Sequence, residues 1–141
     1  MDINLNVIFH HIGIAVNNLK RSKQQYSIMG YSAGTEIYVP TQKVKICFLT
    51  KPEEPRIELI ESTAEDSPIN TIIKKNGAGP YHTCYITNDL DLTIKQFKKN
   101  KFFILNKPVK STAFNNNLIC FLYNKDIGLI ELVELGEKNN E

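Results

Sequence analysis

The feature that most constrains this chain is that it repeats itself. "HHIGIAVNNL" (10–19) aligns with "YHTCYITNDL" (81–90), which carries position 11 onto 82, an offset of 71. "KICFL" (45–49) aligns with "LICFL" (118–122) at an offset of 73, and "RIELIE" (56–61) with "LIELVE" (129–134) at the same 73. Three blocks recur in one order at nearly one spacing, the mark of a duplicated supersecondary unit. Two copies follow, about residues 7–62 and 80–134.

Each copy predicts the same elements. "HIGIAV" alternates at period two and reads as a strand. Asn17 and Asn18 offer N-caps to a helix through "LKRSKQQYSIM" that stops at Gly30. Asn88 and Asp89 do the same for "LDLTIKQFKKN". Strand candidates follow: "YSAGTEIYV" (31–39), "KVKICFLT" (43–50) and "RIELIE" in copy one; "FFILN" (102–106), "NLICFLY" (117–123) and "GLIELVEL" (128–135) in copy two. Prolines 40, 52, 55 and 108 punctuate them, at strand ends and edges where a missing N–H is tolerated. Each module is therefore β-α-β-β-β, and the fold class is α+β.

Between the copies, "DSPINTIIKKNGAGP" (66–80) reads as a connecting helix over 67–76. Ser67 is its N-cap, Pro68 its first residue and Gly77 its stop. The two modules and this helix make one domain over 7–135, and the polar 136–141 makes a flexible tail.

Composition enters as a filter on function. At 141 residues and 42% hydrophobic, the chain holds a core of about one domain. A net charge of +2 with scattered lysines gives no nucleic-acid footprint. The run "KQFKKNK" (95–101) reads as the solvated face of a helix. No apolar run approaches the roughly 18 residues of a membrane span. "MDINLNVIF" lacks the basic and apolar regions of a secretory signal. Cys47, Cys84 and Cys120 are odd in number and widely spaced, which predicts buried thiols in a reducing cytoplasm rather than disulfides or a zinc knuckle.

Duplication also isolates the chemistry. His11 is equivalent to His82, Glu58 to Glu131, and Glu61 to Glu134; His10 is matched by Tyr81. Each paired histidine heads the first strand of its module. Glu58 and Glu131 stand between aliphatic residues in "IEL", where Ile57 and Leu59 share one face and Glu58 takes the other. A lone buried carboxylate is expensive. Two neutral imidazoles and two carboxylates solve that problem around one divalent cation, with open positions for water or substrate. Glu61 and Glu134, near strand ends, read as solvent-facing, and His10 as structural.

These residues resemble a known family. "HHIGIAVNNL", "DSPINTIIKKNGAGPYHTCY" and "GLIELVE" are similar to the vicinal-oxygen-chelate (glyoxalase/bleomycin resistance/dioxygenase) superfamily, over roughly residues 8–134. Within it, the chain looks most like the methylmalonyl-CoA epimerases and the glyoxalase I-like proteins. The resemblance implies paired βαβββ modules in an open, cupped mixed sheet around one divalent metal, with ligands at His11, Glu58, His82 and Glu131. Zinc, cobalt, nickel, manganese and magnesium all suit such a set. The family often dimerises, which leaves a homodimer open.

The "DSPI" connector leans toward the epimerases. Glu58 leans toward glyoxalase I, because epimerases often carry Gln there. Some epimerases place a catalytic Glu where "TQKVKICFL" has Ile46, so a second dedicated base does not carry over, and "FLYNK" (121–125) departs from the family's "FLHPK".

The leading expectation is an epimerase or isomerase that moves the α-proton of an acyl-CoA-type thioester through a metal-stabilised enolate, with Glu131 and Glu58 as proton carriers. A CoA substrate asks for a basic rim, and Lys43, Lys45, Lys74 and Lys75 are available. The alternatives are a glyoxalase I-like lyase acting on a thiol adduct of a ketoaldehyde, or a non-catalytic small-molecule-binding member of the fold. Bleomycin-resistance-like binders generally lack the ligands. A ring-cleaving dioxygenase fits poorly, since iron oxygenases favour two histidines and one carboxylate.

Overall fold

The structure is a computed structural model and describes residues 6–136. Of the tail expected over 136–141, residues 137–141 lie outside the described residues. The elements run β1 (Ile8–Ala15), α1 (Leu19–Ile28), β2 (Ser32–Val39), β3 (Val44–Thr50), β4 (Ile57–Ser62), α2 (Ile69–Asn76), β5 (Gly79–Thr87), α3 (Leu90–Lys99), β6 (Phe103–Ile104), β7 (Val109–Ser111), β8 (Asn117–Asn124) and β9 (Gly128–Glu134). The class is mixed α+β, as the repeat predicts, with nine strands and three α-helices among the described residues.

The chain forms two compact units, one of residues His11–Tyr81, the other of the residues through His10 and those from His82 onward. In the first unit the strand order is β2-β3-β4-β1. The β1 strand runs parallel to β4, whereas β2/β3 and β3/β4 are antiparallel. In the second unit the order is β5-β9-β8-β6, with β7 also on β8, and β5 runs parallel to β9. Each unit thus closes its first strand onto its last, and that pairing brings a residue near position 11 to one near position 58.

Helix starts follow the predicted caps. Asn18 Oδ1 accepts the amide of Arg21 at 2.8 Å, and Asp89 Oδ1 accepts that of Leu92 at 3.1 Å. Each satisfies a donor that the first helical turn leaves open. The first helix ends at Ile28, and Gly30 takes φ +95°, the left-handed turn that a glycine adopts without a Cβ clash.

The connecting helix differs from its expected form. It starts at Ile69 rather than 67, and Pro68 holds the cap position without a side-chain hydrogen bond. Ser67 is buried, and its hydroxyl donates to the Gln42 carbonyl at 3.0 Å, so it tethers α2 to the β2–β3 turn instead of capping the helix.

The second unit also departs from a strict βαβββ pattern. "FFILN" forms only the two-residue β6. Pro108, which has no N–H, follows it. The ladder resumes as β7, and a 3-10 turn over Thr112–Phe114 leads into Asn115 and Asn116, both at positive φ. Asn106 bridges the gap, its Oδ1 accepting the Phe121 amide at 2.8 Å.

The strands of each unit are covered on one face by a helix. Ile14, Val16, Leu19, Cys47, Leu49, Ile57 and Leu59 pack with Tyr26 and Tyr31 in the first unit. Leu90, Cys120, Leu122, Ile130 and Leu132 pack with Ile94 and Phe97 in the second. Each fully buried leucine contributes about 1.5–3 kcal/mol by leaving water. Because strands alternate, the first-unit residues commit His11, Ile46, Phe48, Glu58 and Ile60 to the opposite face of β1, β3 and β4.

Candidate functional site: two buried histidine–glutamate pairs

In the unit His11–Tyr81, β1 and β4 pair with Gly13 opposite Glu58 and Ile12 opposite Ile57. His11 lies two residues before Gly13 and therefore on the same face as Glu58, one step diagonally along the ladder. The glycine between them presents no side chain. His11 Nε2 approaches Glu58 Oε1 to 3.2 Å. The histidine is fully buried and the glutamate 5% exposed.

The other unit builds the same pair in the same register. Cys84 is opposite Glu131 in β5/β9, and His82 precedes Cys84 by two. His82 Nε2 lies 3.2 Å from Glu131 Oε1, with the residues 4% and 3% exposed. A buried carboxylate needs a hydrogen-bond donor or a cation to offset its desolvation. In each pair an imidazole Nε2 comes within 3.2 Å of a carboxylate oxygen. Imidazole Nε2 and carboxylate oxygen are also the donor types that divalent zinc, cobalt, nickel and manganese take. The donor chemistry of each pair fits the metal implied by the resemblance.

An aromatic residue completes each pair, and sequence reasoning missed it. Phe48 is directly across the β3/β4 ladder from Glu58, and its ring meets that of His11 edge-on at 5.5 Å and 64°. Phe121 is directly across β8/β9 from Glu131, and its ring meets that of His82 at 5.6 Å and 86°. Both phenylalanines are half-buried. The signal was present in the repeat "KICFL"/"LICFL", whose phenylalanines are equivalent.

The other singled-out residues sort as follows. Ile46 is 2% exposed, pairs with Ile60 and shares the face of Phe48 and Glu58, so that position offers no proton carrier. The His10 ring sits edge-on to Phe114 at 5.2 Å, on the opposite side of β1 from its neighbour His11. Glu134 does not simply face solvent: its Oε2 accepts the Leu90 amide at 2.9 Å, at the start of α3. Glu61 pairs in register with Lys45 near the end of β4.

Lys43 forms an ion pair with Asp66, and Lys45 lies 3.5 Å from Glu36, whose other oxygen takes Lys23 at 2.7 Å. Lys74 and Lys75 are exposed on the last turn of α2, where the helix dipole favours positive charge. The three cysteines are buried, and none is in a disulfide among the described residues. Burial pushes the Cys120 thiol up to about 11, and its Sγ donates to the Asn106 carbonyl at 3.2 Å. Cys47 repeats that bond to the Gly34 carbonyl, also at 3.2 Å. No helix among the described residues is long and apolar enough to cross a membrane.

Comparison with known proteins agrees with this architecture. A sequence profile of the Glyoxalase/Bleomycin resistance protein/Dioxygenase superfamily matches residues 10–121. The mitochondrial methylmalonyl-CoA epimerase of Homo sapiens is 31% identical over 91% of this chain and 72% of that protein. The crystal structure of methylmalonyl-CoA epimerase from Mycobacterium tuberculosis superposes with a TM-score of 0.84 at 27% identity, covering 98% of this chain and 95% of that one. A variant of the Streptomyces coelicolor methylmalonyl-CoA epimerase, in complex with 2-nitronate-propionyl-CoA, gives a TM-score of 0.78 at 27% identity, covering 93% and 98%. This chain therefore belongs to the glyoxalase/bleomycin resistance protein/dioxygenase superfamily, and its homologues include enzymes named as methylmalonyl-CoA epimerases.

Proposed function

We propose that the chain is a metal-dependent epimerase of an acyl-CoA-type thioester, with His11, Glu58, His82 and Glu131 holding one divalent ion. The observation that carries the reading is the recurrence of one buried His–Glu pair, at 3.2 Å and in one register, in each unit. Sequence likeness to methylmalonyl-CoA epimerases over nine-tenths of the chain supports the substrate class.

A divalent ion in such a site supplies Lewis acidity, lowering the pKa of the carbon beside a thioester carbonyl. The chain's own contribution is proton transfer. Glu131 removes the α-proton through a carboxylate oxygen, and Glu58, in its acid form, delivers its proton to the opposite side of that carbon; solvent then takes the proton from Glu131 and returns one to Glu58. Net charge and composition are unchanged. General acid–base catalysis by a positioned carboxylate contributes typically 10²–10⁴-fold. Ile46, on the face of Glu58, offers no further proton carrier in that unit. His11 and His82 would hold the ion through Nε2, which lies 3.2 Å from the carboxylate of the same pair. The reading includes a reducing, cytoplasmic setting, in keeping with three buried cysteines outside disulfides, and a homodimer of the kind the family often forms.

The test is solvent-deuterium exchange at C2 of methylmalonyl-CoA by protein reconstituted with cobalt or zinc. Exchange is expected with the metal and not after chelation. Metal-loaded protein that exchanges no deuterium there but turns over a hemithioacetal would favour the glyoxalase I-like lyase, a reading kept open by Glu58. A chain that takes up no divalent ion would overturn both.

A further inference from the structure

Phe48 and Phe121 have no role in the proton transfers above, yet both stand in the same relation to a buried pair. Each is the direct cross-strand partner of the glutamate, and each ring meets the histidine of its own unit edge-on, at 5.5 and 5.6 Å. Cross-strand neighbours have Cβ atoms about 4.5–5.5 Å apart, so the ring lies against the carboxylate stem as well as the imidazole. Edge-to-face geometry between aromatic rings is directional and resists rotation. Both rings are half-buried, whereas the histidines and glutamates are buried. Each phenylalanine is thus the more exposed neighbour of its buried pair.

We propose that Phe48 and Phe121 are positioning residues: each ring holds the imidazole of its own unit at the angle that directs Nε2 to the glutamate, and shields that carboxylate from water. The hydrophobic shell around a metal site controls solvent access and the local dielectric. The inference rests on the pairs being the functional site, but the ring's effect on the imidazole exists with or without a metal.

Two measurements on the full chain separate these levels. In the metal-free protein, ¹⁵N–¹H imidazole spectra of Phe48→Leu are expected to show a shifted, broadened Nε2 signal for His11 with His82 unchanged; Phe121→Leu should show the reverse. In cobalt-loaded protein, either leucine variant should release Co²⁺ to a chelator faster than wild type and shift the visible absorption band. Phe48→Tyr and Phe121→Tyr, which keep the ring, should restore both. Phe103→Leu, at an exposed surface position, serves as the control.

Wild-type imidazole spectra in both leucine variants would overturn the proposal. So would a joint shift of both histidines with a lowered melting temperature, or failure of the tyrosines to restore the signals. Failure of the wild-type chain to bind cobalt would instead overturn the metal reading and leave the imidazole spectra to decide this one.

Discussion

His11 Nε2 lies 3.2 Å from Glu58 Oε1, although the register partner of Glu58 on β1 is Gly13. The diagonal geometry is what lets a ring and a carboxylate meet head-on. Directly opposite residues would place the two stems side by side. The same offset recurs between His82 and Glu131 through Cys84.

Replacing the carboxylates separates holding from proton transfer. Glu131→Gln and Glu58→Gln keep an amide oxygen in the site but lose the group that accepts or delivers the proton. Each is expected to lower kcat by about 10²–10⁴-fold while retaining bound metal. Steady-state kinetics beside metal analysis of the same samples checks this. A Glu58→Gln protein with wild-type kcat would restrict Glu58 to holding the ion.

Metal removal should lower stability as well as activity. Two buried carboxylates lose a compensating charge when the ion leaves. Ligand linkage at a free-ion concentration 100 times Kd is worth about 2.7 kcal/mol. Melting curves with and without chelator should differ by several degrees, and added zinc or cobalt should reverse the shift. Identical curves would count against a bound ion.

The buried thiol of Cys120 sets a dependence at alkaline pH. Its pKa is raised from 9.0 to about 11 because burial disfavours the thiolate. Between those values the native state keeps the proton that the unfolded state gives up, so this group's contribution to stability declines as pH rises through that window. Urea unfolding from pH 8 to 10.5 should show a shallower decline in Cys120→Ala than in wild type. An unchanged slope would refute the assignment.

Cap removal should act independently in the two units. Asn18→Ala and Asp89→Ala each delete an acceptor for a first-turn amide. Each should cost about 1 kcal/mol, and the double variant about the sum, since the two caps share no partner. Shifts in the urea midpoint with unchanged m values would confirm it.

Much of this was legible in the sequence because duplication is a linear property. The offsets of 71 and 73 paired His11 with His82 and Glu58 with Glu131, and set His10 apart. Capping chemistry at Asn18 and Asp89 is local, so it too could be read directly. Ser67 could not. It has the chemistry of a cap, but a tertiary acceptor, the Gln42 carbonyl, took its hydroxyl. The β7 strand also escaped notice, because three residues after a proline carry too little alternation to register.

The sequence by itself determined which residues are equivalent, the order of the elements and the α+β class. Only the tertiary structure decided that His11 meets Glu58 and that Phe48 borders both. The reason is register: with a side-chain period of two, slipping β4 by one residue against β1 would turn Glu58 to the helical face and Leu59 to the other. That choice is made by the packing of Ile14, Leu49, Ile57 and Leu59 beneath the helix, contacts between residues far apart in the chain.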